Sequence, residues 1–334
     1  LSGKINTFSL HFGNNYPSEL KYARKVSEHI ESKHFEKEAS FKEIVKGIKE
    51  LSQKYNEPIG EAGAIPNYLL SKYAAKRVKV VLSGDGGDEV FGGYEGYNTS
   101  LKLNRIHENI PQIAKPIIKK TLPSNISESI SHTKEFDFIN HNPTNKIFNW
   151  KEIEKITHSK RHSIPIDKKY DKVTDYGNKI LLLDQDTQLA DCFNTKMDRT
   201  TAACGIEGRV PLQDPSIVNL VNQIPSKFKI SKKEPKLILK MVANDLIPRE
   251  IIYRKKQGYV TPLKQWMYGE MKEMIDEEIT EKDSDLENIF SSKESKKIIN
   301  SSKVENFSRK WVLYALKLWI KSISNRNIPI RLEN

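Results

Sequence analysis

Apolar positions along the first hundred residues switch between the spacing of strands and that of helices. Residues 5–12 alternate apolar and polar side chains, which predicts a β-strand. Apolar residues then recur every three or four positions over residues 17–30, 41–51 and 64–76, which predicts three amphipathic helices. The β-branched run over residues 78–82 predicts a short, buried parallel strand.

The remaining pattern is mostly helical. Strands that alternate with helices predict an α/β fold in which a parallel sheet is flanked by helices on both faces. Beyond residue 180 the spacing is helical almost throughout, and the aromatic side chains of residues 307–323 are expected in the core. Residues 101–176 are polar and interrupted by prolines, and they predict only short pieces of helix.

The segment S-G-D-G-G-D-E-V-F-G-G-Y, residues 83–94, follows the strand directly and carries five glycines with three acids, Asp85, Asp88 and Glu89. Glycines allow tight turns whose N–H groups face an anion, and carboxylates can hold the Mg²⁺ that accompanies a phosphate. Open α/β sheets bind ligands at the carboxyl ends of their strands. A solvated acidic turn is the alternative, and this density of glycine and acid disfavours it.

Composition restricts the class of protein. The chain has 334 residues and a net charge of +12, but its lysines are spread among glutamates, so a solvated surface is favoured over a nucleic-acid groove. No apolar run is long enough to span a membrane, and the N-terminus has no signal-peptide pattern. Two cysteines predict a reducing, cytoplasmic environment. The missing initiator Met suggests a piece of a longer product.

Two further segments combine charged residues with apolar or flexible ones. Residues 196–214 place Asp198, Arg199, Glu207 and Arg209 among apolar side chains, which predicts either buried ion pairs or a ligand site. Residues 248–266 contain four cations before a glycine, and a mobile ammonium on such a loop suits the neutralisation of phosphate charge. A solvated basic turn is the alternative for this segment.

Together, the three segments resemble the asparagine synthetase family, in its synthetase domain. Residues 83–94 resemble the second nucleotide motif of that family, and residues 196–214 are similar to V-D-R-x-x-M-x-x-x-x-E-x-R-V-P-F-L-D. Residues 248–266 match P-x-x-I-x-x-R-x-K-x-G-F-x-x-P-x-x-x-W. The departures from these patterns include Met197 for Val, Ala202 for Met and Gln213 for Leu.

The resemblance implies a fold of the adenine nucleotide alpha hydrolase type, also called the PP-loop ATP pyrophosphatase type. Residues 1–100 would form the nucleotide-binding part, and residues 101–334 a mainly helical part that completes the acceptor site. The implied cofactors are ATP and Mg²⁺. The implied roles are catalysis by Asp85 and Lys256, ATP binding by Leu10, Ser83, Gly84 and Gly86, and metal binding by Asp88. Either substrate binding or support of the site is implied for Glu89, Asp198, Arg199, Glu207 and Arg209.

The implied reaction activates the side-chain carboxylate of aspartate as β-aspartyl-AMP, releases pyrophosphate, and forms asparagine with ammonia derived from glutamine. Two parts of the family pattern are not in this sequence, the S-G-G-x-D-S pyrophosphate loop and the glutaminase domain. We therefore expect a truncated synthetase domain that is inactive alone, with both parts upstream on the same polypeptide. No nucleic acid or membrane partner is expected, and a homodimer is conceivable.

Other interpretations remain open from the sequence. Asp85 stands where relatives often have Glu, so a related amidotransferase that acts on another carboxylate, such as a polysaccharide uronate, is the first alternative. A β-lactam-forming relative is less favoured because it would use an internal amine. The alternative of a different class is a non-catalytic basic binding protein, which the intact charged positions disfavour.

Overall fold

The computed structural model describes residues 5–109, 111, 147–148, 150–157, 168–232, 234–255, 262–281, 291–300 and 307–324. Lys256 lies outside the described residues, and so does most of the segment predicted to be helical in pieces. Within the described part, helices predominate and the strands are short and parallel. None of the described helices is long and apolar enough to cross a membrane.

The elements follow one another in a βαβ order and then become helical. The four strands are β1 (Asn6–His11), β2 (Lys33–Glu38), β3 (Val80–Leu82) and β4 (Glu207–Arg209). The helices up to the middle of the chain are α1 (Leu20–His29), α2 (Phe41–Lys54), α3 (Ala64–Ala74), α4 (Gly87–Phe91), α5 (Glu95–Asn109), α6 (Trp150–Thr157) and α7 (Tyr176–Asp184). A π-helix (Gln185–Asn194) follows, and then α8 (Thr195–Ala202), α9 (Pro215–Gln223), α10 (Leu237–Ala243), α11 (Arg249–Ile252), α12 (Leu263–Tyr268), α13 (Lys272–Thr280), α14 (Ser292–Asn300) and α15 (Phe307–Ser324). Short 3₁₀ turns span Lys168–Lys172, Pro211–Gln213 and Ser226–Phe228.

Strands β1 and β2 form one parallel sheet, with Asn6 opposite Lys33 at one end and His11 opposite Glu38 at the other. The predicted strand at residues 5–12 is confirmed, but β2 was not predicted, because K-H-F-E-K-E contains a single apolar residue. That residue, Phe35, stacks on Phe8 of β1 with 5.4 Å between ring centroids. Cross-strand aromatic contact and pairing with β1 therefore stabilise a strand that its own sequence disfavours.

The three predicted helices of the first hundred residues are confirmed as α1, α2 and α3. Helix α2 begins directly after Ser40, a residue type that is favoured at helix N-termini. Ser40 accepts a hydrogen bond from the backbone N–H of Glu43 at 3.3 Å, and the Glu43 carboxylate accepts one from the N–H of Ser40 at 2.9 Å. This reciprocal capping box satisfies two N–H groups that would otherwise lack partners at the helix end.

The prediction of a single sheet with a buried strand at residues 78–82 is wrong in part. Strand β3 is parallel, but it pairs with β4, so the described strands form two separate two-stranded sheets. Val80 is 41% exposed and Leu82 is 71% exposed. Pairing with β4 satisfies one edge of β3 only, and the face that carries these two side chains remains partly exposed.

A groove of about 520 Å³ lies between the two sheets. It is lined by backbone and side chains of both inner strands and of the helices beneath them, including Phe8, Leu70, Ala74, Val80, Leu82 and Met197. In the described structure β1 pairs only with β2, and β3 pairs only with β4. The groove is therefore apolar and flanked by strand edges that carry no partner strand there.

The main hydrophobic core is built from both ends of the chain. It joins α2 and α3 to α12, α13 and α15, with Leu51, Tyr68, Met271 and Ile275 almost fully buried. The expected core role of the last helix is confirmed, since Trp311 and Tyr314 are each 2% exposed. The Trp311 indole N–H donates to the carbonyl of Ile59 at 3.1 Å, which joins the C-terminal helix to the N-terminal half.

The burial of Leu51 predicts a large effect on stability. Leu51→Ala should lower the free energy of unfolding by about 2–5 kcal/mol, because the side chain is 0% exposed and its loss leaves a cavity. Leu220→Ala is the matched control, since Leu220 is 64% exposed and its removal should change stability by less than about 0.5 kcal/mol. Urea unfolding of both variants measures the difference, and equal effects would contradict this assignment of the core.

Candidate functional site

The acidic loop, residues 83–91, begins at the carboxyl end of β3 and passes directly into helix α4. Gly86 has φ = +87°, a left-handed conformation that turns the chain from the strand into the helix. Asp88 and Glu89 fall in the first turn of α4 as a result. The Ser83 hydroxyl donates to the Asp85 carboxylate, which bends that side chain back over the strand end.

A lysine that sequence reasoning missed lies against the metal-ligand candidate. The Lys236 Nζ is 3.1 Å from Oδ1 of Asp88, and both side chains are 25% exposed. Lys236 has φ = +58° and ψ = +35°, a conformation that costs a residue with a side chain some energy and occurs preferentially at functional sites. The pair also explains Gly93, where a Cβ would lie 1.8 Å from the Asp88 carboxylate.

A second missed lysine lies beside Asp85. The Lys196 Nζ is 3.8 Å from the Asp85 carboxylate and 3.2 Å from that of Glu61, and its side chain is 16% exposed. It also lies 4.8 Å from the centre of the Phe193 ring, on which a cation is stabilised. Lys196 therefore joins the acidic loop to the segment before α3.

Only one of these two lysines lies in a segment that was singled out from the sequence. Lys196 is the first residue of the second charged segment, residues 196–214. Lys236 follows a proline in K-K-E-P-K, where nothing in the spacing separates it from the other lysines. The sequence gives no sign of either ion pair, because each lysine is far along the chain from its carboxylate and the two meet only in the folded protein.

Glu89 faces the interior rather than the mouth of the loop. It is 1% exposed, and it accepts a hydrogen bond from the Tyr94 hydroxyl at 2.5 Å. Burial raises the pKa of Glu89 above its ordinary value, and the nearby carboxylates of Asp88 and Asp184 raise it further. The Glu89 carboxyl therefore supports the base of the loop and does not meet solvent.

Residues 196–214 were predicted to form either buried ion pairs or a ligand site, and the four charged residues singled out there do not form buried ion pairs. Asp198 and Arg199 have side chains 75% and 44% exposed, and their closest charged atoms are 4.0 Å apart. Glu207 and Arg209 pair with each other at 2.8 Å, with 60% of each side chain exposed. Charges that remain in water carry no desolvation cost, so these four residues are stable without a buried partner.

The residues predicted to bind ATP lie on two different elements of the structure. Ser83, Gly84 and Gly86 all lie on the acidic loop, and a Cβ at Gly84 would meet no atom within 4 Å. Leu10 lies near the carboxyl end of β1 and packs, partly buried, against the main core. Lys256, the second catalytic candidate, lies outside the described residues.

The donor set of the loop suits a metal that keeps other ligands. No group of three or more His, Cys, Asp or Glu side chains that could hold a metal occurs in the described part of the chain. Mg²⁺ is commonly bound through one or two carboxylates together with waters and substrate phosphates. Asp88 supplies a hard oxygen ligand of this kind, so the residues fit a magnesium–phosphate ligand but not a metal held by protein alone.

The cysteines do not have the character of nucleophiles. Burial raises the pKa of Cys192 to about 11, and burial also raises the pKa of Cys204. A thiol reacts as its thiolate, so both side chains are largely protonated at neutral pH.

The fold and the loop together define a class of protein: an α/β chain with a glycine-rich acidic turn after a parallel strand, facing lysines from a helical C-terminal half. The particular family follows from comparison with known proteins. The chain belongs to the asparagine synthase family, whose model matches residues 1–321.

Relatives with asparagine synthetase names occur in bacteria and archaea. Asparagine synthetase (glutamine-hydrolyzing) 1 of Bacillus subtilis is 26% identical over 298 residues, which cover 84% of this chain and 46% of the relative. A putative asparagine synthetase (glutamine-hydrolyzing) of Mycobacterium tuberculosis is 27% identical over 285 residues, 81% of this chain and 43% of the relative. A putative asparagine synthetase (glutamine-hydrolyzing) 2 of Methanocaldococcus jannaschii is 37% identical over 120 residues, 35% of this chain and 22% of the relative. This chain thus spans about half the length of the first of these curated relatives.

The raised pKa of Glu89 predicts a pH-dependent contribution to stability. A carboxyl whose pKa is higher in the folded protein stabilises the fold below its unfolded pKa, and that contribution is lost as the pH rises through the folded pKa. The wild-type chain should therefore lose stability relative to Glu89→Gln as the pH rises from about 4.5, the ordinary value for glutamate, towards neutrality. Urea unfolding of both proteins across this range measures the difference.

Glu207→Gln provides the control with the opposite sign. The hydrogen bond from Arg209 lowers the pKa of Glu207, so its contribution is present at neutral pH and lost as the pH falls. If the stability difference for Glu89→Gln did not change with pH, the buried position of this carboxyl would be wrong.

Proposed function

We propose that this chain forms the bulk of a synthetase domain that activates the side-chain carboxylate of aspartate with ATP and then forms asparagine with ammonia. The carboxylate oxygen attacks the α-phosphorus, the bond to the pyrophosphate oxygen breaks, and β-aspartyl-AMP forms. Ammonia then attacks the acyl carbon and AMP leaves. The observation that supports this most is the pairing of Asp85 with Lys196 and of Asp88 with Lys236 on one loop at a strand end.

Asp88 and Lys236 form the part of the site that suits the phosphates. Bound Mg²⁺ would be held in part by Asp88 and would neutralise negative charge on the phosphate oxygens. Lys236 places an ammonium 3.1 Å from the same carboxylate, within reach of an anion that approaches the loop. A lysine ammonium is a compact charge on a flexible stem, so it can exchange a carboxylate for a phosphate oxygen.

Asp85, Lys196 and Glu61 form the part of the site that suits the acceptor. Lys196 lies between two carboxylates and offers a positive charge to an incoming carboxylate. The carboxylates of Glu61 and Asp85 in turn offer negative charge to an ammonium group. An amino acid carries both groups, so this arrangement of charges complements a zwitterion.

Lys256 is assigned from the sequence alone. It matches the family's catalytic lysine in residues 248–266, with Lys255 in the variable place before it. A cation that faces the transferring phosphoryl group would stabilise the charge that develops in the transition state. The four charged residues of the second segment are exposed, so they would contribute only by contacting a ligand that binds beside them. They are Asp198, Arg199, Glu207 and Arg209.

The remaining phosphate contacts would come from the pyrophosphate loop that the family pattern places before β1. The groove between β1 and β3 supports this part of the proposal, because it is apolar and both flanking strands are parallel to their partners. A further parallel strand in this groove would join the two sheets and bring its carboxyl end beside Ser83. Ammonia would come from a glutaminase domain on the same polypeptide.

A related amidotransferase that acts on another carboxylate is the second candidate. The shorter Asp85 in place of the Glu that relatives often have favours it, because the altered side chain leaves more room beside Lys196. The rate of AMP release with aspartate and with a panel of uronates, in the longest natural polypeptide that carries this chain, separates the two. Release with uronates alone would reject aspartate as the acceptor.

Replacement of Asp88 tests the site directly. Asp88→Asn should abolish ATP–pyrophosphate exchange in that polypeptide, because a ligand charge is lost while the shape of the side chain is kept. Asp171→Asn is the matched control, since the Asp171 side chain is 77% exposed and is not part of the proposed site. Exchange at the wild-type rate in Asp88→Asn would remove this residue from the metal site.

The lysines give a second, independent test of the phosphate site. Lys256→Ala and Lys236→Ala should each lower kcat by about 10²–10³, the usual effect of removing a preorganised group that stabilises transition-state charge. Lys255→Ala and Lys232→Ala, each an exposed neighbour, should change kcat much less. Reversed effects at 255 and 256 would show that the loop is assigned one residue out of register.

A further inference from the structure

Two backbone carbonyls of the acidic loop are held by glutamine side chains from elsewhere in the chain. The Gln213 Nε2 donates to the carbonyl of Asp85 at 3.2 Å. The Gln185 Nε2 donates to the carbonyl of Glu89 at 3.3 Å. These carbonyls lie on either side of the segment that contains Gly86 and Asp88, so the loop is anchored before and after its metal-ligand candidate.

Each of the two glutamines is itself fixed by an asparagine. Gln213 and Asn194 exchange two side-chain hydrogen bonds, both at 2.8 Å. Gln185 and Asn222 exchange two at 3.1 Å and 3.0 Å. An amide pair of this kind satisfies one donor and the acceptor on each side chain, which leaves each glutamine oriented towards the loop.

The π-helix sets the separation of the two anchors. Gln185 is its first residue and Asn194 is its last, so the two pairs begin at opposite ends of one element. The partners, Gln213 and Asn222, lie in the 3₁₀ turn after β4 and in α9. The π-helix is a rare element in proteins, and here its first and last residues both belong to the contacts that hold the loop.

Close packing adds to the hydrogen bonds at the Asp85 end. A Cβ at Gly86 would lie 2.5 Å from Cγ of Gln213, so the glutamine stem rests on the turn where the backbone is left-handed. The amide groups do not titrate and bring no charge beside Asp85 and Asp88. They can therefore hold the backbone without altering the electrostatics that the carboxylates provide.

The contact to the carbonyl of Asp85 depends on the amide group of Gln213. A leucine at this position could fill similar space, but it could not donate a hydrogen bond to the carbonyl of Asp85 or pair with Asn194. The glutamine contact is therefore directional, whereas a leucine contact would not be.

We propose that the pairs Asn194–Gln213 and Gln185–Asn222 form a two-point amide clamp on the acidic loop. The four side chains are positioning residues, which fix the backbone on both sides of Asp88 and so direct the Asp85 and Asp88 carboxylates. The clamp itself is independent of the reaction, whereas its consequence for metal and phosphate binding rests on the proposed function.

Hydrogen–deuterium exchange of the 334-residue chain tests the clamp without any ligand. Gln213→Leu should raise the exchange rates of loop amides near Asp85 about tenfold, as expected for the loss of one or two hydrogen bonds. Helix α3 and the midpoint of urea unfolding should stay unchanged, which a general loss of structure would not allow. Gln223→Leu is the matched control, because Gln223 is exposed and donates only to Asn219 within its own helix.

Paired variants test whether each amide pair acts as a unit. Asn194→Leu combined with Gln213→Leu should loosen the Asp85 end no more than Gln213→Leu alone, since either change breaks the same pair. Gln185→Leu should loosen the Glu89 end and leave the Asp85 end unchanged. Unchanged loop exchange in both single variants, or equal acceleration in α3, would overturn the clamp.

A kinetic measurement on the longest natural polypeptide that carries this chain tests the positioning role. In ATP–pyrophosphate exchange, Gln213→Leu should raise the Mg²⁺ concentration for half-maximal rate about tenfold or more, as for loss of a residue that orients a metal ligand. The KM for ATP at saturating Mg²⁺ should change less than about twofold. An unchanged Mg²⁺ requirement of the active Gln213→Leu enzyme would overturn the positioning role. If Gln213→Leu accelerated hydrogen–deuterium exchange of the loop but the wild-type polypeptide showed no ATP–pyrophosphate exchange, the clamp would stand and the proposed function would be rejected.

Discussion

Charge compensation on one short turn is the constraint on which the rest of the structure depends. Asp85 and Asp88 lie close together on the loop after β3, and like charges in a partly buried place are unfavourable unless cations neutralise them. Lys196 and Lys236 supply the cations, and both come from the second half of the chain. The charge compensation of the loop therefore requires the helical half to be packed against the strands.

The same dependence explains why the two halves are not independent units. Strand β3 has its only described partner in β4, which follows α8 in the second half of the chain. Helix α15 packs on α2, and the indole of Trp311 bonds to a carbonyl before α3. The hydrophobic core and the charged loop thus each use residues from both sides of residue 100.

The spacing of apolar residues was enough to predict most individual helices and strands, but it did not predict which of them contact one another. The spacing of apolar residues predicted β1, the first three helices and the buried face of α15, because in each case the element's own sequence carries the signal. It failed for β2 and β4, whose charged sequences are strands only because a neighbour pairs with them. The acidic loop was evident from its glycines, whereas Lys196 and Lys236 were not, since an ion pair between distant residues leaves no periodicity.

The Asp88–Lys236 pair gives the loop its own counterion before any ligand arrives. A pair with a quarter of each side chain exposed is partly screened by water, so it can separate at modest cost. A phosphate brings more negative charge than one carboxylate, and it therefore competes well for the lysine. On the proposed function, Lys236 would move to the phosphate when the ligand binds, and the Asp88 carboxylate would turn to the metal. The left-handed backbone at Lys236 and the absence of a side chain at Gly93 then serve the same purpose. Both allow the Lys236 ammonium to lie beside Asp88, from where it can move to a phosphate.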